Sequence, residues 1–187
     1  MSSIPTIPQG WNAKNIGDLS GKKFLITGGT SGIGKEAARE LIRAGAHVTI
    51  TARDAQKGEA TALELGSKNI SVGSLDLTSL ESINEFAKSV TEDFDVLILN
   101  AGDGAAAPID KTTNEVWEHS IAINLTAPFQ YLRAAVPAME EAKFGRIIVI
   151  ASSAGLIGEP NVSAYTAAKH GVIGLVRAAA AELSKYG

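Results

Sequence analysis

The sequence predicts an α/β fold in which an open, doubly wound parallel sheet carries helices on both faces. Three observations predict it. From Lys22 onwards, short apolar runs alternate with longer amphipathic stretches of helical spacing. The run DVLILN at 95–100 is apolar without alternation, which is typical of a parallel strand buried on both faces. Each interval between runs is long enough for the crossover that parallel strands require, and right-handed crossovers place helices on both faces.

The five predicted strands are short apolar runs that end in small or polar residues. In chain order they are KKFLIT (22–27), HVTIT (47–51), ISVGSLD (70–76), DVLILN (95–100) and RIIVIAS (146–152). Ligands of open α/β sheets bind beyond the carboxyl ends of the strands. The segments that follow these five runs are therefore expected to line one cleft.

Four predicted helices lie between the strands, and a fifth follows the last strand. Gly45 stands where the first helix is expected to end. Pro128 and Pro137 are expected to kink or divide the long fourth helix, because proline lacks a backbone N–H. The helices are expected over residues 32–44, 56–65, 80–92, 114–142 and 164–185. The chain is thus predicted to hold an irregular lead-in over 1–20 and one domain over 21–187.

The composition is that of an ordinary globular domain, with 45% hydrophobic and 20% charged residues among 187. The net charge of −3 argues against a nucleic-acid or anionic-membrane partner. The sequence contains no cysteine, which excludes disulfides, thiolate catalysis and cysteine-bound metal. His47, His119 and His170 share no spacing that suggests a metal site. Since no stretch has the pattern of a signal peptide or a membrane span, a cytoplasmic protein without bound metal is expected.

A glycine-rich turn, TGGTSGIG from Thr27 to Gly34, joins the first predicted strand to the first helix. Gly28, Gly32 and Gly34 lack Cβ atoms, so the backbone can approach a pyrophosphate closely and the helix can pack against the strand. The N-terminus of the helix offers free N–H groups and a positive dipole end to that anion. A tight turn without a ligand is the alternative, but the position between first strand and first helix favours nucleotide binding.

The spacing of this turn, T-G-x-x-x-G-x-G, resembles that of the short-chain dehydrogenase/reductase family. Three further segments agree with the resemblance. They are Asp76 after the third strand, N-A-G at 100–102 after the fourth, and Y-x-x-x-K from Tyr165 to Lys169. The resemblance covers roughly residues 21–187. It implies a Rossmann-type fold that binds NAD(P) and transfers a hydride between the nicotinamide and a carbonyl or secondary alcohol.

The end of the second strand bears on the choice of cofactor. NAD-preferring relatives usually carry an acid where Ala52 stands, to bind the ribose 2′-hydroxyl. Here that acid is missing, and Arg53, which follows, can bind a 2′-phosphate. NADP(H) is therefore expected in preference to NAD(H); the alternative is that Arg53 stacks on adenine or points to solvent. The cofactor-binding residues that the resemblance implies are Gly28, Thr30, Ser31, Gly32, Ile33, Gly34, Arg53, Asp76, Leu77, Asn100, Ala101, Gly102, Tyr165 and Lys169.

Tyr165 and Lys169 stand four residues apart in a predicted helix, so their side chains share one face. A free tyrosine has a pKa of about 10 and is a poor base at neutral pH, but a nearby ammonium favours the phenolate. Tyr165 is therefore the candidate that gives a proton to a carbonyl oxygen or takes one from an alcohol. Taken alone, the two residues could be an exposed helix pair, but the accompanying motifs favour catalysis.

Two more residues complete the catalytic set that the resemblance implies. Ser152 begins an S-x-x-G pattern at the end of the fifth strand and would hydrogen-bond the substrate oxygen. Ser153 is a rival by adjacency, with support of the loop as its other role. Asn124 matches a helix asparagine that, in the family, bends the helix locally and holds a water in the proton relay to the lysine. From sequence alone, a mid-helix asparagine is usually solvated or capping.

The family usually continues through two more strands and a segment that covers the substrate, whereas this sequence ends at Gly187. The fifth strand is then expected to form a sheet edge. The sequence leaves open a fragment of a longer product or a naturally shortened form. It also leaves open an active enzyme or a nucleotide-binding but inactive protein. Relatives pair their two long helices across a two-fold axis, which implies a homodimer or homotetramer, and the stretch Ala178–Ala181 permits close approach.

Overall fold

The structure, a computed structural model, describes residues 7–66, 68–89 and 93–186. Within these residues, a five-stranded parallel sheet has the strand order β3-β2-β1-β4-β5. The strands are β1 (Lys23–Ile26), β2 (His47–Ala52), β3 (Ile70–Ser74), β4 (Val96–Leu99) and β5 (Arg146–Val149). The order reverses between β1 and β4, which opens a crevice at their carboxyl ends. The predicted doubly wound α/β fold is confirmed.

Six α-helices flank the sheet within the described part of the chain. They are α1 (Gly32–Arg43), α2 (Ala55–Leu65), α3 (Leu80–Ser89), α4 (Asn114–Ile121), α5 (Ala127–Ala142) and α6 (Ser163–Leu183). Apart from the long fourth helix, their bounds fall within two residues of those predicted wherever the structure describes them. The last three residues of the helix predicted over 80–92 lie outside the described residues.

The two faces of the sheet carry separate hydrophobic cores, and the central strands β1 and β4 contribute side chains to both. On β1, Ile26 packs with Ala38 of α1 on one face of the sheet. Leu25 points to the other face, where it packs with Phe86 of α3 and Tyr131 of α5. Burial on both faces explains why the strands are apolar without alternation.

The long helix predicted over 114–142 is divided around Asn124, where the family resemblance implied a local bend, and not at either proline. A π-helical turn, Ala122–Thr126, separates α4 from α5. Pro128 lies in the first turn of α5, where a missing N–H costs little, and α5 continues through Pro137. Of the two effects expected of Pro137, a kink or a division, the division is therefore wrong. The π turn centres on Asn124, whose Nδ2 donates to the carbonyl of Ser120 at 3.0 Å and so enters the helical hydrogen-bond ladder.

Within the described residues, β3 and β5 are the outermost strands of the sheet. Ile148 on β5 is 47% exposed. The described part of the lead-in contains one 3-10 turn, Ala13–Asn15, which Asn12 caps.

Candidate active site

A cleft of about 640 Å³ lies at the carboxyl ends of the strands, and segments after all five strands line it. The predicted site residues in its lining are Gly28, Thr30, Ser31, Gly32, Ile33, Arg53, Asp76, Leu77, Asn100, Ala101, Gly102, Tyr165 and Lys169. Gly34, Asn124 and Ser152 lie just outside the lining, each next to one of its members. Two apolar grooves of about 340 and 290 Å³ run along α5, and none of the predicted residues lines them.

The glycine-rich turn opens the cleft at the start of α1. Gly32 has a φ of 54°, and a Cβ built on it meets no atom within 4 Å, so its backbone faces open space. Gly34 serves a different purpose: a Cβ there would lie 2.7 Å from the carbonyl oxygen of Gly28. The hydroxyl of Ser31, the N-cap residue, makes no capping bond, and the first turn of α1 carries no acid. The turn therefore offers free N–H groups and a positive helix end to an anion.

Asn100 joins the end of β4 to the end of β1 at the point where the strand order reverses. Its Nδ2 donates to the carbonyl oxygens of Thr27 at 3.1 Å and of Gly28 at 3.2 Å. The hydroxyl of Thr27 accepts in return from the backbone N–H groups of Asn100 and Ala101. These bonds hold the glycine-rich turn against the N-A-G segment and fix the width of the crevice between them.

Charged side chains gather at the other end of the cleft, after β2 and β3. The carboxylate of Asp76 accepts from the N–H of Thr78 at 2.9 Å and from its hydroxyl at 2.7 Å. These hydrogen bonds, helped by the positive charge of Arg53, hold the pKa of Asp76 below its usual value. Arg53 and Lys57 both line this end of the cleft. Asp76 is thus a fixed anion, and two cations stand near it.

Asn124 lies behind the cleft, in the π turn, and is 1% exposed. Its Nδ2 donates to two carbonyl oxygens, those of Ser120 at 3.0 Å and Asp103 at 2.8 Å. Its Oδ1 has no hydrogen-bond partner among the described residues. The amide is therefore held by its nitrogen, while its oxygen stays available to accept.

Lys169 and Tyr165 project from the first turns of α6. Lys169 is 4% exposed, and its Nζ donates to the carbonyl oxygen of Ile150 at 2.9 Å. Burial lowers the pKa of the Lys169 ammonium from its usual value. The same Nζ lies 5.5 Å from the centroid of the Tyr165 ring, within the range of a cation–π contact. The predicted pair therefore meets across one helical turn, and both residues line the cleft, Lys169 with most of its side chain buried.

The two candidate serines differ in their surroundings. The Oγ of Ser152 accepts from the N–H of Ala154 at 3.2 Å, and Ser152 follows Ala151, which lines the cleft. Ser153 is exposed, and its hydroxyl donates to Glu159 at 3.0 Å. Among the described residues no acceptor is found for the Ser152 hydroxyl proton, whereas the Ser153 hydroxyl is engaged with Glu159.

The structure also brings forward residues that sequence reasoning missed. Asp103 supplies the carbonyl that binds Asn124, and Gly104 lies against the ring of Tyr165. The Oδ2 of Asp103 lies 3.0 Å from the Nε2 of His119 on α4. The only sequence signal was position, because Asp103 and Gly104 directly follow the N-A-G segment.

The chain matches the short chain dehydrogenase family over residues 22–187. It is 38% identical over 175 residues to the D-beta-hydroxybutyrate dehydrogenase of Cupriavidus necator, which covers 90% of this chain and 67% of that protein. It is 37% identical over 173 residues to the D-beta-hydroxybutyrate dehydrogenase of Rhizobium meliloti, with 89% and 67% covered. This chain thus spans about two thirds of the length of both relatives.

A solved structure shows the same fold. The metagenomic short-chain oxidoreductase solved in complex with NADP is 40% identical, with a TM-score of 0.84 over 90% of this chain and 78% of that one. The chain belongs to the short-chain dehydrogenase family. Within the described residues, no helix combines the length and the hydropathy that crossing a bilayer demands.

Proposed function

We propose that this protein is an NADP(H)-dependent oxidoreductase that acts on a carbonyl or secondary alcohol, with Tyr165 as its acid and base. One observation carries the proposal: Lys169, almost fully buried, lies 5.5 Å from the Tyr165 ring, and Gly102 packs closely against both Lys169 and the equally buried Asn124. Burying an ammonium costs free energy, so a buried lysine beside a cleft tyrosine indicates a functional site. The gathering of these residues favours a catalytic protein over a non-catalytic nucleotide binder.

The cleft fits a dinucleotide in its shape and its chemistry. The open backbone at Gly32 and the acid-free start of α1 suit a pyrophosphate. From the family resemblance, Asp76 is proposed to contact adenine, and the N-A-G segment is proposed to belong to the cofactor site that it lines. NADP(H), when bound, supplies or accepts the hydride. The solved structure of the NADP-bound relative supports a nicotinamide cofactor here.

Tyr165 is proposed to move the proton. In the reducing direction its hydroxyl donates to the substrate carbonyl oxygen, and the Lys169 ammonium stabilises the phenolate that remains. In the oxidising direction the phenolate takes the proton of the alcohol. Ser152 is proposed to donate a hydrogen bond to the same substrate oxygen, because its proton has no other partner in the described structure. Asn124 is proposed to accept through Oδ1 from the relay that exchanges protons with Lys169.

The preference for NADP(H) rests on the end of β2. Ala52 is buried and offers no acid to a ribose 2′-hydroxyl. Arg53 and Lys57 both line the cleft there and can neutralise a 2′-phosphate. Asp54 caps α2 by accepting from the N–H of Lys57, so its carboxylate is already engaged.

We further propose a homodimer or homotetramer with a cytoplasmic location, taken from the family resemblance and the composition. The small side chains of Ala178–Ala181 on α6 suit a close helix pairing. Light scattering at micromolar concentration tests the assembly, and a monomeric mass would contradict it.

The proposed chemistry is tested by Tyr165→Phe, assayed with acetoacetate and NADPH and with D-3-hydroxybutyrate and NADP⁺. These probes follow the names of the two hydroxybutyrate dehydrogenase relatives. Turnover is expected to fall by about 10²-fold or more, because a placed acid typically contributes 10²–10⁴-fold. NADPH binding, followed by fluorescence, should be retained. Tyr186→Phe, at an exposed position near the end of α6, is the matched control. Turnover that survives Tyr165→Phe would refute the assignment.

A further inference from the structure

An irregular segment over residues 102–107 leaves the end of β4 and runs beside the cleft. The backbone carbonyl of Asp103 accepts from the Nδ2 of Asn124 at 2.8 Å. One residue further on, Gly104 lies against Tyr165, where a Cβ would come within 2.9 Å of Cδ2 and 3.0 Å of Cγ. The 102–107 segment therefore contacts the side chains of Asn124 and Tyr165, two of the proposed catalytic residues, and restricts their positions.

Asp103 is held at a second point by its own side chain. The Oδ2 of Asp103 lies 3.0 Å from the Nε2 of His119, which projects from α4. His119 directly precedes Ser120, whose carbonyl accepts the other hydrogen bond of Asn124. The carboxylate and the carbonyl of Asp103 are thus tied to one stretch of helix, the first through His119 and the second through Asn124.

We propose that the Asp103–His119 pair is a positioning latch for Asn124 and Tyr165. The proposal rests on the proposed function, because it assigns these two residues to the same reaction. A residue held at two points cannot swing about either one, so the latch keeps Gly104 on the ring of Tyr165. His119 does not line the cleft. Loosening the latch should therefore lower kcat, which depends on geometry, and leave the affinity for NADPH unchanged.

The first test compares His119→Ala with His119→Gln, with acetoacetate and NADPH as probes. His119→Ala removes the partner of Asp103 and should lower kcat by about two- to tenfold, the range expected when one hydrogen bond is lost. His119→Gln keeps an N–H donor on a side chain of similar reach, so its kcat should lie near the original value. The thermal midpoint and the Kd for NADPH should be the same in all three proteins.

The second test measures the hydrogen exchange of a backbone amide and does not depend on enzyme turnover. The N–H of Ala107, at the end of the 102–107 segment, donates to the carbonyl of Asn161 at 2.7 Å. Hydrogen exchange at this amide should be faster in His119→Ala than in the original protein or in His119→Gln.

The third test acts on the ring contact itself. Gly104→Ala places a methyl group against Tyr165 and should lower kcat by about tenfold to a hundredfold, because small misplacements of reacting groups are costly. Gly17→Ala is the matched control, since a Cβ there meets no atom within 4 Å.

The outcomes separate the latch from the proposed function. In a double-mutant cycle, Asp103→Ala combined with His119→Ala should lose no more kcat than Asp103→Ala alone. Additive losses, or a His119→Ala protein with unchanged kcat and unchanged exchange at Ala107, would overturn the latch. A protein that turns over neither probe, with or without Tyr165, would instead overturn the proposed function, while the exchange of Ala107 would still decide the latch.

Discussion

Gly102 faces Asn124 so closely that a Cβ on the glycine would lie 2.7 Å from the Oδ1 of the asparagine. The same carbon would lie 3.3 Å from the Nζ of Lys169. The absence of a side chain at 102 therefore keeps the buried oxygen and the buried ammonium open to each other and to the cleft. Glycine at 102 is therefore required by the packing of Asn124 and Lys169, the two residues of the proposed proton relay.

Gly102→Ala is expected to lower kcat by at least about tenfold, because the methyl group must push Asn124 out of place. Overpacking of this kind typically costs about 1–3 kcal/mol, so the thermal midpoint should fall as well. Both are measured on the purified variant. Gly158→Ala, where a Cβ meets no atom within 4 Å, should change neither quantity. If Gly102→Ala and Gly158→Ala changed kcat and the thermal midpoint equally, the steric explanation for Gly102 would be wrong.

Ser152→Ala and Ser153→Ala should differ clearly in their effect on kcat. Loss of a hydrogen-bond donor to the reacting oxygen typically lowers kcat by about 10²–10³-fold, so a large loss is expected for Ser152→Ala. Ser153→Ala breaks only the exposed bond to Glu159 and should change kcat by less than about twofold. The comparison needs steady-state rates with acetoacetate and NADPH. A larger loss for Ser153→Ala would reverse the assignment.

Arg53→Ala should narrow the preference for NADPH over NADH. A charge-assisted hydrogen bond contributes roughly 1.5–3 kcal/mol, which corresponds to a loss of about tenfold or more in affinity for NADPH alone. Fluorescence titrations with both cofactors measure the two affinities on the same protein. Parallel losses for NADPH and NADH would show that Arg53 serves the adenosine rather than the 2′-phosphate.

The buried ammonium of Lys169 should make the stability of the fold depend on pH. Its pKa in the folded chain lies below the usual 10.5, so between these two values the unfolded chain binds a proton that the folded chain has released. Raising the pH through this window therefore stabilises the original protein relative to Lys169→Met. Urea unfolding of both proteins at about pH 7 and about pH 10 measures the difference. A stability difference that stays constant, or moves towards Lys169→Met, contradicts the argument.

The sequence predicts the sheet and most helices well because local patterns decide them. Burial on both faces produces the unbroken apolar run of β4, and Gly45 follows α1 where the helix was expected to end. The division of the 114–142 helix was predicted at its prolines because proline is the usual breaker. The structure instead places the break at Asn124, where only the family resemblance implied a bend and where the side chain competes for the Ser120 carbonyl. Residue type alone does not reveal such a competition.

Some residues of the candidate site could likewise be predicted from local sequence patterns, and others could not. The sequence predicts Tyr165, Lys169 and the glycine-rich turn as site residues because their proposed chemistry depends on side-chain type and spacing. Asp103 and Gly104 are not, because they act through a backbone carbonyl and through a missing side chain. The partner of Asp103, His119, lies 16 residues away in the chain, and only the packing of α4 brings the two together.

The junction between β1 and β4 has a consequence for the order in which the molecule assembles. Asn100 and Thr27, whose hydrogen bonds close this junction, stand 73 residues apart. β1 pairs with β2 across a much shorter connection, since Lys23 lies opposite His47. Closing a longer loop costs more conformational entropy, about 0.6 kcal/mol for each doubling of length, so β1 and β2 are expected to pair first. A chain emerging from the ribosome would thus display a finished glycine-rich turn well before it could retain a nucleotide.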